Sequence, residues 1–188
     1  RQEDRWVEIV DPTQPVPLYV RDLLIDKNGE FIWIATVNVG LVRLNLESGE
    51  FRYYSKDNYP ANGLLAASFT CLAQGEDRAV WIGSEWGGLS RYEGEIGGQE
   101  RFTTFTTRDG LPENTIHGIL SGRGRGLWVS TARGLAYFDG KEKIVRQWLS
   151  TEQETMVPVR ALLHFRSQSD FLLPVKKGFL KINHSQQA

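Results

Sequence analysis

Sulfur is nearly absent from this chain. Among its 188 residues there is one cysteine, Cys71, and one methionine. A single thiol closes no intrachain disulfide, so the fold has no such framework to lean on. Long apolar runs are missing as well. No stretch approaches the roughly 18 consecutive apolar residues that a membrane helix needs, and no secretory leader pattern is legible. Charge of one sign is not in excess either: 22 lysines and arginines stand against 23 acids, for a formal net charge of −1. A dedicated nucleic-acid surface normally carries a basic surplus, so no nucleic-acid partner is expected. Amphipathic helical periodicity is also lacking. What remains is a chain that is 40% hydrophobic, with 19 glycines and six tryptophans. That is enough apolar material for a core and excludes a disordered segment.

The apolar material is arranged in a repeat. "FIWIATVNVGLVRLNL" begins at Phe31, "AVWIGSEWGGLSRYEG" at Ala79, and "GLWVSTARGLAYFDG" at Gly126. A divergent copy, "FLLPVKKGFLKINH", begins at Phe171. Trp33, Trp81 and Trp128 follow one another at intervals of 48 and 47 residues, and Gly40, Gly88, Gly134 and Gly178 at 48, 46 and 44. Self-similarity at such a period marks a repeat architecture. Inside each repeat the pattern is short strands separated by glycine or polar turns. In the third these are "TIHGIL", "LWVST", "LAYFD" and "IVRQWL". Four antiparallel strands repeated every 40–50 residues or so predict an all-β fold built of β-propeller blades.

The expected organisation has about four blade equivalents across residues 1–188. Residues 18–56 form blade 1, 66–106 blade 2, and 114–149 blade 3. Residues 158–184 form a blade 4 that lacks its outer strand. "RWVEIV" (5–10) reads as an orphan outer strand. The chain is therefore expected to be a segment of a longer propeller or part of an assembled one. A four-bladed ring and an eight-bladed ring made by two chains are the alternatives. Open blades leave strand edges that invite pairing with another chain, so self-association through them is expected.

The segment from Phe102 to Ile119, F-x-x-F-T-x-x-D-G-L-P-x-N-x-I-x-x-I, followed by "LWVST" and Gly-Leu, resembles the two-component regulator propeller repeat. The resemblance spans essentially the whole chain. The first repeat departs from it with "YPANGLLAAS" (59–68), and the fourth lacks the tryptophan. It implies a periplasmic sensor propeller of the kind that precedes a membrane helix and a histidine kinase or diguanylate cyclase output module. It also implies ligands such as small molecules or oligosaccharides. Any membrane contact would then come through segments outside this chain. A glycan-active lyase or hydrolase and a protein-docking propeller are the alternatives.

Positions that are constant across repeats belong to the frame. Trp33, Trp81 and Trp128 are expected to pack between blades. Gly40, Gly88, Gly134 and Gly178 are expected to make tight turns into the third strands. A phosphate-cradling role for these glycines needs a following helix, and none follows. Positions that vary inside the frame are the candidates for ligand binding. They lie in the turns "VNV", "EWG", "AR" and "KK" and in the interblade loops: Asn38, Glu85, Trp86, Arg133, Lys176, Lys177 and Tyr59. Trp86 breaks the repeat, and it is expected either to stack on a ligand or to cover a neighbouring blade. Asp109 and Asn114 are expected to bond local backbone. His117, His164 and His184 lack short metal-ligand spacing, so no metal, cofactor or catalytic residue is expected. Cys71 is read as a buried, inert thiol.

Overall fold

The structure is a computed structural model that describes residues 11, 18–55, 63–121, 126–139, 144–149, 163–164, 170–175 and 178–183. Beyond Asp139, Gln147 is the one residue whose side chain is described. The orphan strand expected at 5–10 lies outside these residues.

Short β-branched and aromatic runs between turns form three four-stranded antiparallel sheets and one of three strands. The first is β1 (Val20–Ile25), β2 (Phe31–Thr36), β3 (Leu41–Asn45) and β4 (Phe51–Tyr54). The second is β5 (Phe69–Gln74), β6 (Val80–Ser84), β7 (Leu89–Ile96) and β8 (Gln99–Phe105). The third is β9 (Ile116–Ser121), β10 (Leu127–Thr131), β11 (Gly134–Phe138) and β12 (Ile144–Leu149). The last is β13 (Leu163–His164), β14 (Asp170–Val175) and β15 (Gly178–Asn183). In every sheet the spatial order follows the chain order. The first strands pack side by side, β1 against β5 and β5 against β9. This is the radial stacking of consecutive propeller blades.

The β7–β8 hairpin runs longer than "LSRYE" and "RFTTFT" suggest. Gly97 and Gly98, both at positive φ (62° and 78°), close a two-residue turn between Ile96 and Gln99. Turns of that kind match the strand twist and let pairing continue to the tip.

Alternation along the strands explains the core. Side chains on a strand point to opposite faces in turn. On β6, Val80 and Ile82 therefore join the cluster facing the first sheet, while Trp81 joins the one facing the third. Trp33 of the first sheet meets Tyr92 of the second with ring centroids 4.8 Å apart. Trp81 of the second meets Phe138 of the third at 4.9 Å. Trp33, Trp81 and Trp128 are all at most 2% exposed. Each also has a cross-strand neighbour one strand outward: Arg43, Arg91 and Tyr137 respectively.

The turns after β2, β6 and β10 share a polar tie. The hydroxyls of Thr36, Ser84 and Thr131 donate to the carbonyls of Gly40, Gly88 and Gly134 at 2.6, 2.8 and 2.9 Å. Gly88 has φ of 89°, and a β-carbon there would run into the carbonyl oxygen of Phe105. Glycine is required at that position on both counts. The same pair of constraints holds at Gly40 against Tyr54.

One joint is charged. Between the first two sheets, the Glu100 carboxylate is 6% exposed. Its Oε1 accepts from Arg43 (2.8 Å), Arg52 (2.9 Å) and the Tyr54 hydroxyl (3.2 Å). Its Oε2 accepts from the Tyr92 hydroxyl, which in turn accepts from Arg43 at 2.6 Å. The Arg43 guanidinium also lies over the rings of Phe31, Trp33, Tyr54 and Tyr92, at 4.7 to 5.8 Å. Burial pushes the Glu100 carboxyl up, but the bonds from Tyr92, Arg52 and Tyr54 and the charge of Arg43 outweigh it and hold it below its ordinary value. Burial raises both tyrosines, so they remain donors at neutral pH.

The outward face of the first sheet is open. Val20 and Leu23 are 47% and 60% exposed, whereas Phe69 and Leu72 at the matching positions of the second sheet are 0% and 8%. Ile25 is 61% exposed on the same face as Leu23.

A depressed carboxyl stabilises the fold above its unfolded value and loses that contribution as pH falls through the folded one. Wild type should therefore be more stable than Glu100→Gln at pH 7. The gap should narrow as pH falls from 7 to 3, beneath the ordinary glutamate value of about 4.3. Urea unfolding at pH 7, 5 and 3 measures this, and a constant gap would refute it.

Candidate functional site

The β2–β3, β6–β7 and β10–β11 turns and the loops leading into β5 and β9 lie at one end of the sheets. Backbone bonds fix them there: Val37 N–H donates to Tyr19 O, Glu85 N–H to Ser68 O, and Ala132 N–H to Thr115 O. Each ties a varying turn to the start of a first strand. The end so formed is the loop face.

A pocket of about 330 Å³ opens at the loop-face end of the first strands. Arg21 and Asp22 of β1, Thr70 and Cys71 of β5, Thr115 just before β9, His117 of β9 and Glu85 of the β6–β7 turn line it. Three sheets contribute. Among the described residues, no aromatic ring other than the imidazole lines it.

Several of these groups also tie neighbouring sheets together. Asp22 Oδ2 accepts from Leu72 N–H at 2.7 Å, and Oδ1 from Leu23 N–H at 2.9 Å. Thr70 Oγ1 donates to Ile116 O at 2.6 Å. Thr115 Oγ1 donates to Glu113 Oε1 at 3.2 Å. Cys71 is buried at the pocket wall, and burial pushes its thiol up to about 12. It is therefore protonated and unreactive at neutral pH. A β-carbon on Gly83 would strike its sulfur, so glycine there lets β5, β6 and β9 close up around the pocket wall.

Of the residues expected to bind a ligand, the structure brings Glu85 into this pocket. Its Oε2 accepts from Ser68 Oγ at 3.1 Å. Trp86, the next residue, stands at the loop face and is 74% exposed, so it does not cover a neighbouring sheet. Its φ is 78°, a left-handed conformation that a bulky side chain rarely adopts. Exposed Leu65 (55%) sits in the adjoining loop, where Ala66 packs against Gly87. Asn38 ties the β2–β3 turn to the segment before β1, its Oδ1 accepting from Tyr19 N–H at 3.0 Å. Arg133 is exposed in the β10–β11 turn and does not line the pocket. Tyr59, Lys176 and Lys177 lie outside the described residues, and of Gly178 and His164 the backbone alone is described. Asp109 and Asn114 bond backbone: Asp109 Oδ2 accepts from Thr106 N–H at 2.8 Å and Asn114 Oδ1 from Thr107 N–H at 2.8 Å.

Arg21, Asp22, Thr70 and Thr115 were not among the expected site residues. A signal was present: "VRD", "FTC" and "TIH" each put polar residues at the start of a first strand, where alternation alone would bury them. The charged joint around Glu100 also went unforeseen, although Arg43 and Arg91 recur at the same position in "LVRLN" and "LSRYE". Among the described residues, no group of three or more His, Cys, Asp or Glu side chains is placed to hold a metal ion.

No family model matches this chain, and no curated protein matches it. Solved structures do. The chain is similar to a structure described as the extracellular domain of the hybrid two component system BT3049 from B. thetaiotaomicron, at 20% identity and a TM-score of 0.67, covering 89% of this chain and 21% of that one. The corresponding domain of BT4673 from the same organism matches at 18% identity and a TM-score of 0.70, covering 95% and 22%. The computationally designed protein Ika4 matches at 14% identity and a TM-score of 0.64, covering 95% of this chain and 99% of that one. The chain thus spans about one fifth of the length of the two bacterial extracellular domains. At these identities the likeness establishes the fold, a β-propeller segment.

Trp86 offers a direct test of strain at the loop face. Trp86→Gly should stabilise the protein by about 1–2 kcal/mol, because left-handed backbone is unfavourable for any residue with a β-carbon. Trp86→Ala should not, since alanine keeps the β-carbon. Paired urea titrations check this, and equal effects would show that the backbone at Trp86 is not strained.

Proposed function

We propose that this chain is part of the ligand-binding propeller of a bacterial signal-transduction receptor, acting in the periplasm and not itself catalytic. The observation that carries this reading is the polar pocket at the loop face, to which three successive sheets contribute. A site built from several blades senses their relative position, so a ligand that prefers one arrangement shifts the balance between arrangements. The likeness to extracellular domains described as parts of hybrid two component systems supports the receptor setting. The bonding of Asp22 supports binding over catalysis: both carboxylate oxygens already accept backbone N–H groups. The ligand on this reading is a small polar molecule or oligosaccharide, with Trp86 at the rim as a stacking surface. The signal would reach the membrane through segments outside this chain.

Self-association belongs to the same proposal. The open apolar face at Val20 and Leu23 matches Phe69 and Leu72 of the second sheet, which are buried in the cluster shared with the first sheet.

A thermal-shift panel of small polar metabolites and oligosaccharides should contain at least one stabilising compound. Saturation at about 100 Kd corresponds to roughly 2.7 kcal/mol. Thr115→Tyr, which fills the pocket, should abolish the shift; a shift that survives would place binding elsewhere. By light scattering at high micromolar concentration the protein should exceed monomer mass, and Leu23→Asp should return it to monomer. A monomeric wild type would overturn the association.

A further inference from the structure

We propose that the loop-face pocket takes a zwitterionic ligand, a free amino acid or dipeptide, with Arg21 holding the carboxylate and Glu85 the ammonium. This rests on the reading of the pocket as the ligand site.

Besides the buried Cys71 thiol, the titratable or charged side chains that line the pocket among the described residues are Arg21, Asp22, Glu85 and His117. They are not equally available. Asp22 has both oxygens engaged by backbone N–H groups of β1 and β5, so it serves the joint between the sheets. His117 is already engaged in an interaction of its own. Glu85 has one oxygen on Ser68, and its Oε1 has no hydrogen-bond partner among the described residues. Arg21 has neither a hydrogen bond nor an ion pair among the described residues. The two do not pair with each other, although both line the same cavity. They come from different sheets, Arg21 from β1 and Glu85 from the turn after β6.

Among the described residues, the pocket thus presents one uncommitted cation and one uncommitted anion. A guanidinium offers a fork of donors that fits a carboxylate in two parallel bonds. A carboxylate oxygen accepts from an ammonium. Arg21 is exposed and Glu85 half-buried, so a ligand with a single charge gains one charge-assisted contact where a ligand with both gains two. A ligand carrying both charges satisfies both. Thr70 and Thr115 have spent their hydroxyl protons on Ile116 O and Glu113, so toward the pocket they act as acceptors, which favours a ligand rich in N–H donors. A volume of about 330 Å³ is at the small end of the roughly 300–1,000 Å³ range of ligand sites, which suits a ligand of this size.

The test is isothermal titration of the whole chain with alanyl-alanine, N-acetyl-alanyl-alanine, alanyl-alanine amide and maltose. The expected result is binding of alanyl-alanine, with each blocked peptide weaker by at least tenfold. Arg21→Ala should remove the preference for a free carboxylate, and Glu85→Gln the preference for a free amine. The circular dichroism and melting of both variants should match wild type. Equal affinity for blocked and free peptides overturns the proposal. Binding of maltose but not alanyl-alanine, lost in Thr115→Tyr, overturns the zwitterion and leaves the pocket as the ligand site. No binding here together with no pocket-dependent shift in the broad panel overturns both.

Discussion

Every other feature of this fold depends on sheets that are apolar on both faces. A strand sends alternate side chains to opposite sides, and in a stack of sheets neither side of an inner sheet meets water. Trp81 shows the consequence most directly. It leaves β6 toward the third sheet and stacks edge-on against Phe138, while Val80 and Ile82 on either side of it pack back against the first sheet. One β6 side chain out of register would place a tryptophan in the wrong joint. The repeat of tryptophan at one position in three sheets is this constraint written three times.

Stacking in this way leaves the ends of the strands as the place where polarity can gather. The hydroxyls of Thr36, Ser84 and Thr131 close the turns with the same kind of bond, to a glycine carbonyl four, four and three residues on, so the turns project from a similar base. What varies is held at a fixed position, which is how a repeated frame carries a site that no single repeat contains. The loop-face pocket has this character. Its carboxylate from Glu85, its guanidinium from Arg21 and its hydroxyls from Thr70 and Thr115 arrive from different sheets.

The two described joints solve the same packing problem differently. Between the second and third sheets the contact is aromatic and aliphatic. Between the first and second, Arg43 is enclosed by four aromatic rings and clamps Glu100 together with Arg52 and two tyrosines. Removing either partner of such a pair strands the other in a poorly hydrated place. That joint is accordingly tied to one geometry and to the ionised state of one carboxylate.

The strands, their order and the tryptophan and glycine frame were legible in the sequence, because alternation and turn chemistry are local and the repeat shows them more than once. Trp86 stood out by breaking that repeat, and its exposure follows from the turn it occupies. The site was legible only in part. Glu85 could be named from the β6–β7 turn, but nothing near it in sequence points to Arg21, 64 residues earlier. The two share a pocket because β1 packs beside β5 and because Glu85 is tied back to Ser68 at the start of β5. The partners of Glu100 are equally remote, 57 residues away at Arg43 and 48 at Arg52. Local physics thus set each blade from its own residues. Which charges met, and which were left uncommitted, was decided only when the sheets stacked, since charge pairing depends on distances that the strand pattern does not contain.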